Sequence, residues 1–249
     1  MKTFFIILLL VVVSISCFSQ IQQPLGKFSV QLNAGTSIPI GRFANKSFST
    51  SQHDTSGNAV AGFSINALVK YQLKQSFGIS LMIGGSVNKQ DVGYLRNEIK
   101  KRGSDQLIVN VRADSWKVFK VMPGVYYSIP FSSGSKFELT PMVSVGICKG
   151  NAPEFAYSYY YPPLSSGTTI FIKGKEDLPI TFCYGVSMDL MYKLNKKVYL
   201  LCEASYFGAS PTLKYSYYPN LPELSNLTSA KKHYSLASLN LQLGAGIRF

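Results

Sequence analysis

Alternation of apolar and polar residues is the dominant pattern of the chain. From Ala237 to Phe249 the odd positions Ala237, Leu239, Leu241, Leu243, Ala245, Ile247 and Phe249 are apolar, and the even ones are Ser, Asn, Gln, Gly or Arg. The period is two, that of a strand with one greasy and one polar face. It recurs as Phe28, Val30, Leu32, Ala34; as Phe63, Ile65, Ala67, Val69, Tyr71; and as Phe77, Ile79, Leu81, Ile83. Further on come Phe119, Val121, Val125, Tyr127; then Phe137, Leu139, Val143, Val145, Ile147; then the even positions of Ile180 to Tyr192; then those of Val198 to Tyr206. Helical spacing is nowhere sustained, so eight strands are predicted.

The spacing between these segments also alternates. Lys74-Gln75-Ser76, Ser132-Ser133-Gly134-Ser135 and Asn195-Lys196-Lys197 read as hairpin turns. The other connections, over 41–58, 88–115, 149–177 and 208–232, are long. Short turns at one end and long loops at the other predict an all-β fold: an eight-stranded antiparallel up-and-down transmembrane β-barrel with periplasmic turns and four external loops. A soluble barrel shares the period with its faces exchanged. Two features separate the alternatives. The polar face carries Ser, Gly, Asn and Gln rather than Lys and Glu, and those are residues sized for a narrow lumen. On the apolar face, Phe28, Tyr71, Phe77, Tyr127, Phe137, Tyr192 and Phe249 all fall at the turn end of their strands, as an interfacial aromatic girdle requires.

Composition narrows the picture further. Of 249 residues 46% are hydrophobic and only 15% charged, below the ~25% usual for soluble domains, and past residue 20 no run is long enough for a spanning helix. Residues 1–19 read as a signal peptide: Lys2, an apolar stretch Phe4 to Val13, and Cys17-Phe18-Ser19 before a cut at Gln20. Lipidation at Cys17 is the rival reading, but Ser14 stands where a lipobox wants a large aliphatic. The barrel domain is then 20–249, placed in the outer membrane of a Gram-negative bacterium. The 25 Lys and Arg against 12 Asp and Glu leave +13. In an exported chain without a reading motif this excess suits anionic lipid headgroups and lipopolysaccharide phosphates rather than nucleic acid.

These segments resemble a known family. The opening Phe28-Ser-Val-Gln-Leu-Asn-Ala-Gly35, the segment Val121-Met-Pro-Gly-Val-Tyr-Tyr127 and the closing Gly-Ala-Gly-Ile-Arg-Phe249 are similar to the small outer-membrane β-barrel domain family common in Bacteroidota. That resemblance implies an OmpA-like barrel delivered by the barrel-assembly machinery, which reads a terminal Phe; it implies no particular activity. Pro123 and Pro141, which lack a ladder donor, are expected at bulges.

By parity Lys70, Lys120, Glu138, Asp189, Glu203 and Arg248 point inward and should pair as a lumen ionic network that plugs the barrel, Glu138 and Asp189 with Arg248 and Lys120. Cys148 and Cys183 share that face, and a disulfide between them is left open, while Cys202 faces lipid. Two His and scattered Cys give no metal site, and no cofactor is expected. His233 and Ser235 have the His-x-Ser spacing of lipid A deacylases, but no acidic residue follows Glu223 to orient the His. In the loops, Tyr157, Tyr159, Tyr160 and Tyr161, and Tyr215, Tyr217 and Tyr218, form a candidate binding surface or packed strand extensions. The leading expectation is a non-enzymatic barrel that binds a partner or supports the envelope through its loops. The alternatives are an accessory of a secretion or assembly complex and a lipid-modifying enzyme.

Overall fold

The computed structural model describes residues 27–47, 56–74, 76–102, 108–153, 155–160, 167–170, 177–216 and 229–249. The expected signal peptide therefore lies outside the described residues. Eight long strands form the barrel: β1 Phe28–Pro39, β2 Gly62–Gln72, β3 Phe77–Lys89, β4 Ser115–Tyr127, β5 Phe137–Asn151, β6 Asp177–Lys193, β7 Val198–Ala209 and β8 Leu236–Arg248. Each pairs antiparallel with the next in sequence, and β8 returns to β1 through pairs from Ser29↔Arg248 to Pro39↔Ser238, so the sheet has no free edge. The last residue is tied in as well, with the Phe249 N–H donating to the Phe28 carbonyl at 2.8 Å.

The three hairpins fall where the sequence places them. Between β6 and β7 the Asn195 side chain accepts from the Lys197 and Val198 N–H groups, at 2.8 Å each, which fixes the turn. Between β4 and β5 a short strand, Ile129–Pro130, pairs with Glu138 and Leu139 ahead of the turn, and Gly134 supplies the positive φ the turn needs.

The prolines depart from expectation. Pro123 pairs with Leu81 in unbroken register, and the β4–β5 ladder resumes beyond it without a shift. Pro141 pairs with Met188 beyond the last β4 partner, Tyr126↔Met142, where a missing donor costs no β4 bond. Neither sits at a bulge. The register shift lies between Leu178 and Thr181 of β6, around Pro179.

Tyrosines cover glycines across the ladder. Tyr126 faces Gly78 and Tyr199 faces Gly246, both inside, while Tyr184 faces Gly208 outside, and a Cβ on any of the three glycines would strike the partner's ring. Each glycine lets the sheet curve, and the opposing ring fills the gap it leaves.

One sequence expectation fails above the barrel: an α-helix, Val92–Arg102, stands in the second loop. Among its described side chains Leu95 and Ile99, one turn apart, are the buried ones, too short an apolar stripe to register as a period. Asp91 caps it, accepting the Tyr94 N–H at 2.9 Å, and Glu98 pairs with Lys101 at 2.8 Å. The strand Ile108–Ala113 pairs with Phe155–Tyr160, which pairs with Gly167–Ile170, so the second and third loops share a sheet; Thr212–Ser216 and Ser229–His233 form a hairpin in the fourth.

Candidate functional site: lumen, girdle and outer mouth

Inside and outside are inverted relative to a soluble barrel. Leu32, Ile65, Leu81, Val145, Val186 and Leu243 are exposed on the outer face, at 40 to 69% exposure, whereas Gln31, Asn33, Asn66, Asp189 and Asn240 are at most 1% exposed within. Such a belt around every strand would be an aggregation surface in water. Against lipid it is the matching surface, so the barrel spans a bilayer.

All six charged residues expected in the lumen are inside, but their pairing differs from expectation. Lys70 of β2 binds Asp189 of β6 at 2.7 Å, and Gln31 of β1 donates to the same carboxylate oxygen at 3.2 Å. Arg248 of β8 binds Glu138 of β5 at 2.9 Å. Lys193, which the sequence reading leaves out, binds the other oxygen of Glu138 at 2.9 Å. Its parity with Asp189 and Met191 marks it as inward, but its place at the turn end reads as hairpin. Lys120 is not a partner of Asp189 or Glu138. Its ammonium lies over the Phe207 ring, 5.0 Å from the centroid, and Glu203 is held instead by the Asn33 amide. Parity fixes the face of a residue; the partner depends on height, which register and tilt decide.

The lumen is also less polar than the sequence suggests. Met82, Met122, Met142 and Met191 point inward with Leu68 and Leu201, filling gaps between the polar spokes. The voids beside Lys70 and beside Lys120 hold about 10 Å³ each, room for a single water at most.

The outer mouth is closed by an aromatic cap that the sequence reading does not contain. Trp116, 2% exposed, packs edge-on against Phe43 from the first loop and Tyr234 beside β8, with centroids at 5.6 and 5.0 Å. Its indole N–H donates to the Gly57 carbonyl at 2.9 Å. Aromatic residues in three separate segments, each otherwise ordinary, meet only once the barrel closes.

At the turn end, Phe28 lies opposite Tyr71, Phe77 opposite Tyr127 and Phe137 opposite Tyr192, and the Phe28 and Phe249 rings are 6.1 Å apart. The seven aromatics expected as a girdle thus form neighbouring groups on the outer face. Where successive members are not directly opposite, the next one is displaced toward the turn end, as tilted strands require of residues at one height.

Tyr157, Tyr159 and Tyr160 lie on Phe155–Tyr160, and Tyr215 on Thr212–Ser216 opposite Ala230. Tyr161, Tyr217 and Tyr218 lie outside the described residues. His233 is not on β8: it ends the loop hairpin, and its Nδ1 meets the Thr212 hydroxyl at 2.8 Å, while Ser235 lies beyond the strand. Cys148 and Cys183 are buried free thiols, diagonal to each other because Cys148 faces Thr181 and Cys183 faces Gly146; Cys202 is exposed on the outer face.

No protein-family model and no curated protein matches the sequence. Among solved structures, the fold is similar to the Neisserial surface protein A, at 13% identity and TM-score 0.43, over 91% of this chain and 100% of that one. It is similar to a major outer membrane protein from Thermus thermophilus, at 14% identity and TM-score 0.45, over 89% and 99%. It is also similar to the outer membrane protease OmpT from Escherichia coli, at 9% identity and TM-score 0.48, over 93% and 99%. What this barrel does is decided by its own side chains.

Proposed function

We propose that this barrel, a resident of the bacterial outer membrane, is a non-enzymatic protein that works through its external loops, by binding an envelope or extracellular partner or by supporting the envelope. The observation that carries this reading is the division between a filled interior and a structured exterior. Among the described residues the voids beside Lys70 and Lys120 are about 10 Å³ each and the lumen is crossed by ion pairs, which supports neither a solute path nor a buried substrate pocket. Above the membrane the second and third loops share a sheet, which supports a preorganised surface rather than slack connections. The engagement of His233 by Thr212 gives the His-x-Ser pair no support as a hydrolytic base and nucleophile.

The test is photo-crosslinking in intact cells from Tyr160 and Tyr217, with heat-modifiable gel mobility showing that the barrel is folded. One discrete partner band from either position supports the binding reading. Folded barrel with no partner band leaves envelope support, and lipid A that loses an acyl chain only when the gene is present overturns the non-enzymatic reading.

A further inference from the structure

Part of the net charge of +13 stands on the outer wall of the barrel. Lys89 on β3, Lys117 on β4 and Lys149 on β5 occupy three adjacent strands, and all three are exposed on the outward, lipid-facing parity. In the ladders Lys89 faces Ser115 and Lys117 faces Asn151, so each next lysine is displaced one step toward the turn end. That is the direction in which the girdle aromatics are displaced between strands, so the three ammoniums stand at nearly one height.

That height can be worked out. Lys89, Lys117 and Lys149 lie 12, 10 and 12 residues along their strands from the girdle residues Phe77, Tyr127 and Phe137. At ~3.3 Å per residue and a tilt of ~40°, the separation along the membrane normal is about 25 to 30 Å. An outer-membrane apolar band is ~25 Å tall, so the lysines stand at the outer-leaflet boundary, where lipid phosphates lie.

Below and between them the surface is dented. A groove of about 490 Å³ runs between Phe63, Ile65, Val87 and Phe119, with Gly85 contributing no side chain at its centre and Lys117 and Lys149 on its rim. Among the described residues no carboxylate comes within 4.0 Å of the three ammoniums, and the ion pairs of those residues lie in the lumen or at Asp91 and Glu98. The next two strands around the barrel are different, for β6 and β7 present Phe182, Tyr184 and Tyr206 outward near the loop end. Three lysines on three adjacent strands, at one height and set over an apolar groove, make a local site on the barrel wall.

We infer that Lys89, Lys117 and Lys149, with the groove over Gly85, form a binding site for one molecule of a phosphorylated multi-acyl glycolipid of the lipid A class, its phosphate on the lysines and an acyl chain in the groove. Charge complementarity selects this occupant. A second copy of the chain would bring three more lysines to the same height, and a neutral lipid would leave the ammoniums unpaired. The inference rests on the outer-membrane placement and is independent of what the loops bind.

The test uses the full barrel in nanodiscs of phosphatidylcholine containing bisphosphorylated lipid A, with bound lipid counted by native mass spectrometry. Wild type is expected to retain one lipid A, and the triple variant Lys89→Gln, Lys117→Gln, Lys149→Gln to retain at least tenfold less. Triple replacement by Arg should keep the lipid. Replacing the turn residues Lys196 and Lys197 by Gln, a comparable charge loss at the opposite end, should change nothing. Equal retention by the triple Gln variant overturns the site, provided that its heat-modifiable mobility shows it folded; if it does not fold, Lys117→Gln alone is read, with a threefold loss expected. Competition by phosphatidylglycerol or by millimolar inorganic phosphate as effective as that by lipid A overturns the glycolipid assignment.

Discussion

Replacing Lys70 by Met tests the lumen chemistry most directly. The ammonium and the Asp189 carboxylate are 2.7 Å apart with side-chain exposures of 4% and 1%, so neither charge has water to fall back on. After Lys70→Met, Asp189 keeps only the Gln31 amide at 3.2 Å, and an uncompensated buried carboxylate costs about 3 to 5 kcal/mol. The pair itself is worth much less than that, because an apolar pair of similar volume avoids the desolvation of both ions. Leu68 and Met191, at 0 and 2% exposure, are inward neighbours of the two positions along their strands. The double variant Lys70→Met, Asp189→Leu is therefore expected within about 1 kcal/mol of wild type. Urea unfolding from lipid vesicles reads both, with the single tryptophan of the sequence, Trp116, as probe. At a slope of ~1 to 3 kcal/mol per molar urea, the single variant should lower the midpoint by more than about 1 M. A single variant that unfolds with wild type, or a double variant as weak as the single, would show that the charges are not held dry against each other and would refute the reasoning.

Three further outcomes are expected. Gly246→Leu drives a side chain into the Tyr199 ring that covers it, so the heat-modifiable folded band should be lost, whereas Gly41→Leu at an open position should retain it, although its positive φ adds strain. Trp116→Ala removes the centre of the mouth cap and should cost about 3 to 5 kcal/mol, read by circular dichroism during thermal unfolding; a change below about 1 kcal/mol would mean that the cap is not packed. Asp91 has its carboxyl held below the ordinary 3.8, first by the Lys46 hydrogen bond and next by the Tyr94 N–H, with burial opposing. Its contribution to the helix is then complete above 3.8 and is lost as pH falls through the lower folded value. The Tyr94 amide shift should titrate with a midpoint below 3.8, a midpoint at or above it would refute the cap, and Asp91→Ala should weaken the helix by about 1 kcal/mol.

The strands are legible because lipid and lumen act on alternate residues, so the period is written into β8 as plainly as into β1. Faces are legible for the same reason, and Lys70, Glu138 and Asp189 can be placed inside without coordinates. Partners are not. Lys70 meets Asp189 rather than Glu138 because strand tilt sets which inward positions share a height, and nothing local to β2 records the tilt. Helix Val92–Arg102 escapes because Leu95 and Ile99 are the buried ones among its described side chains. The Trp116 cap escapes because its members come from 43, 116 and 234, residues with no relation until the ring closes. The bulge expected at Pro123 and Pro141 lies instead at Pro179, where the chain enters β6 from the third loop.

The cross-lumen bonds join strands that are never neighbours in the sheet. Lys70 and Asp189 span β2 and β6 on opposite sides, and Arg248 reaches from β8 to Glu138 on β5. While the sheet is open these groups are far apart, so such bonds add nothing to a growing edge and exist only in the completed ring. Their effect falls on the exit rather than the entry. Interactions that form after the rate-limiting step slow unfolding and leave folding speed almost unchanged. The spokes of the lumen thus set how long the closed barrel lasts in the membrane, a matter of lifetime decided by residues that lie almost wholly inside the ring of strands.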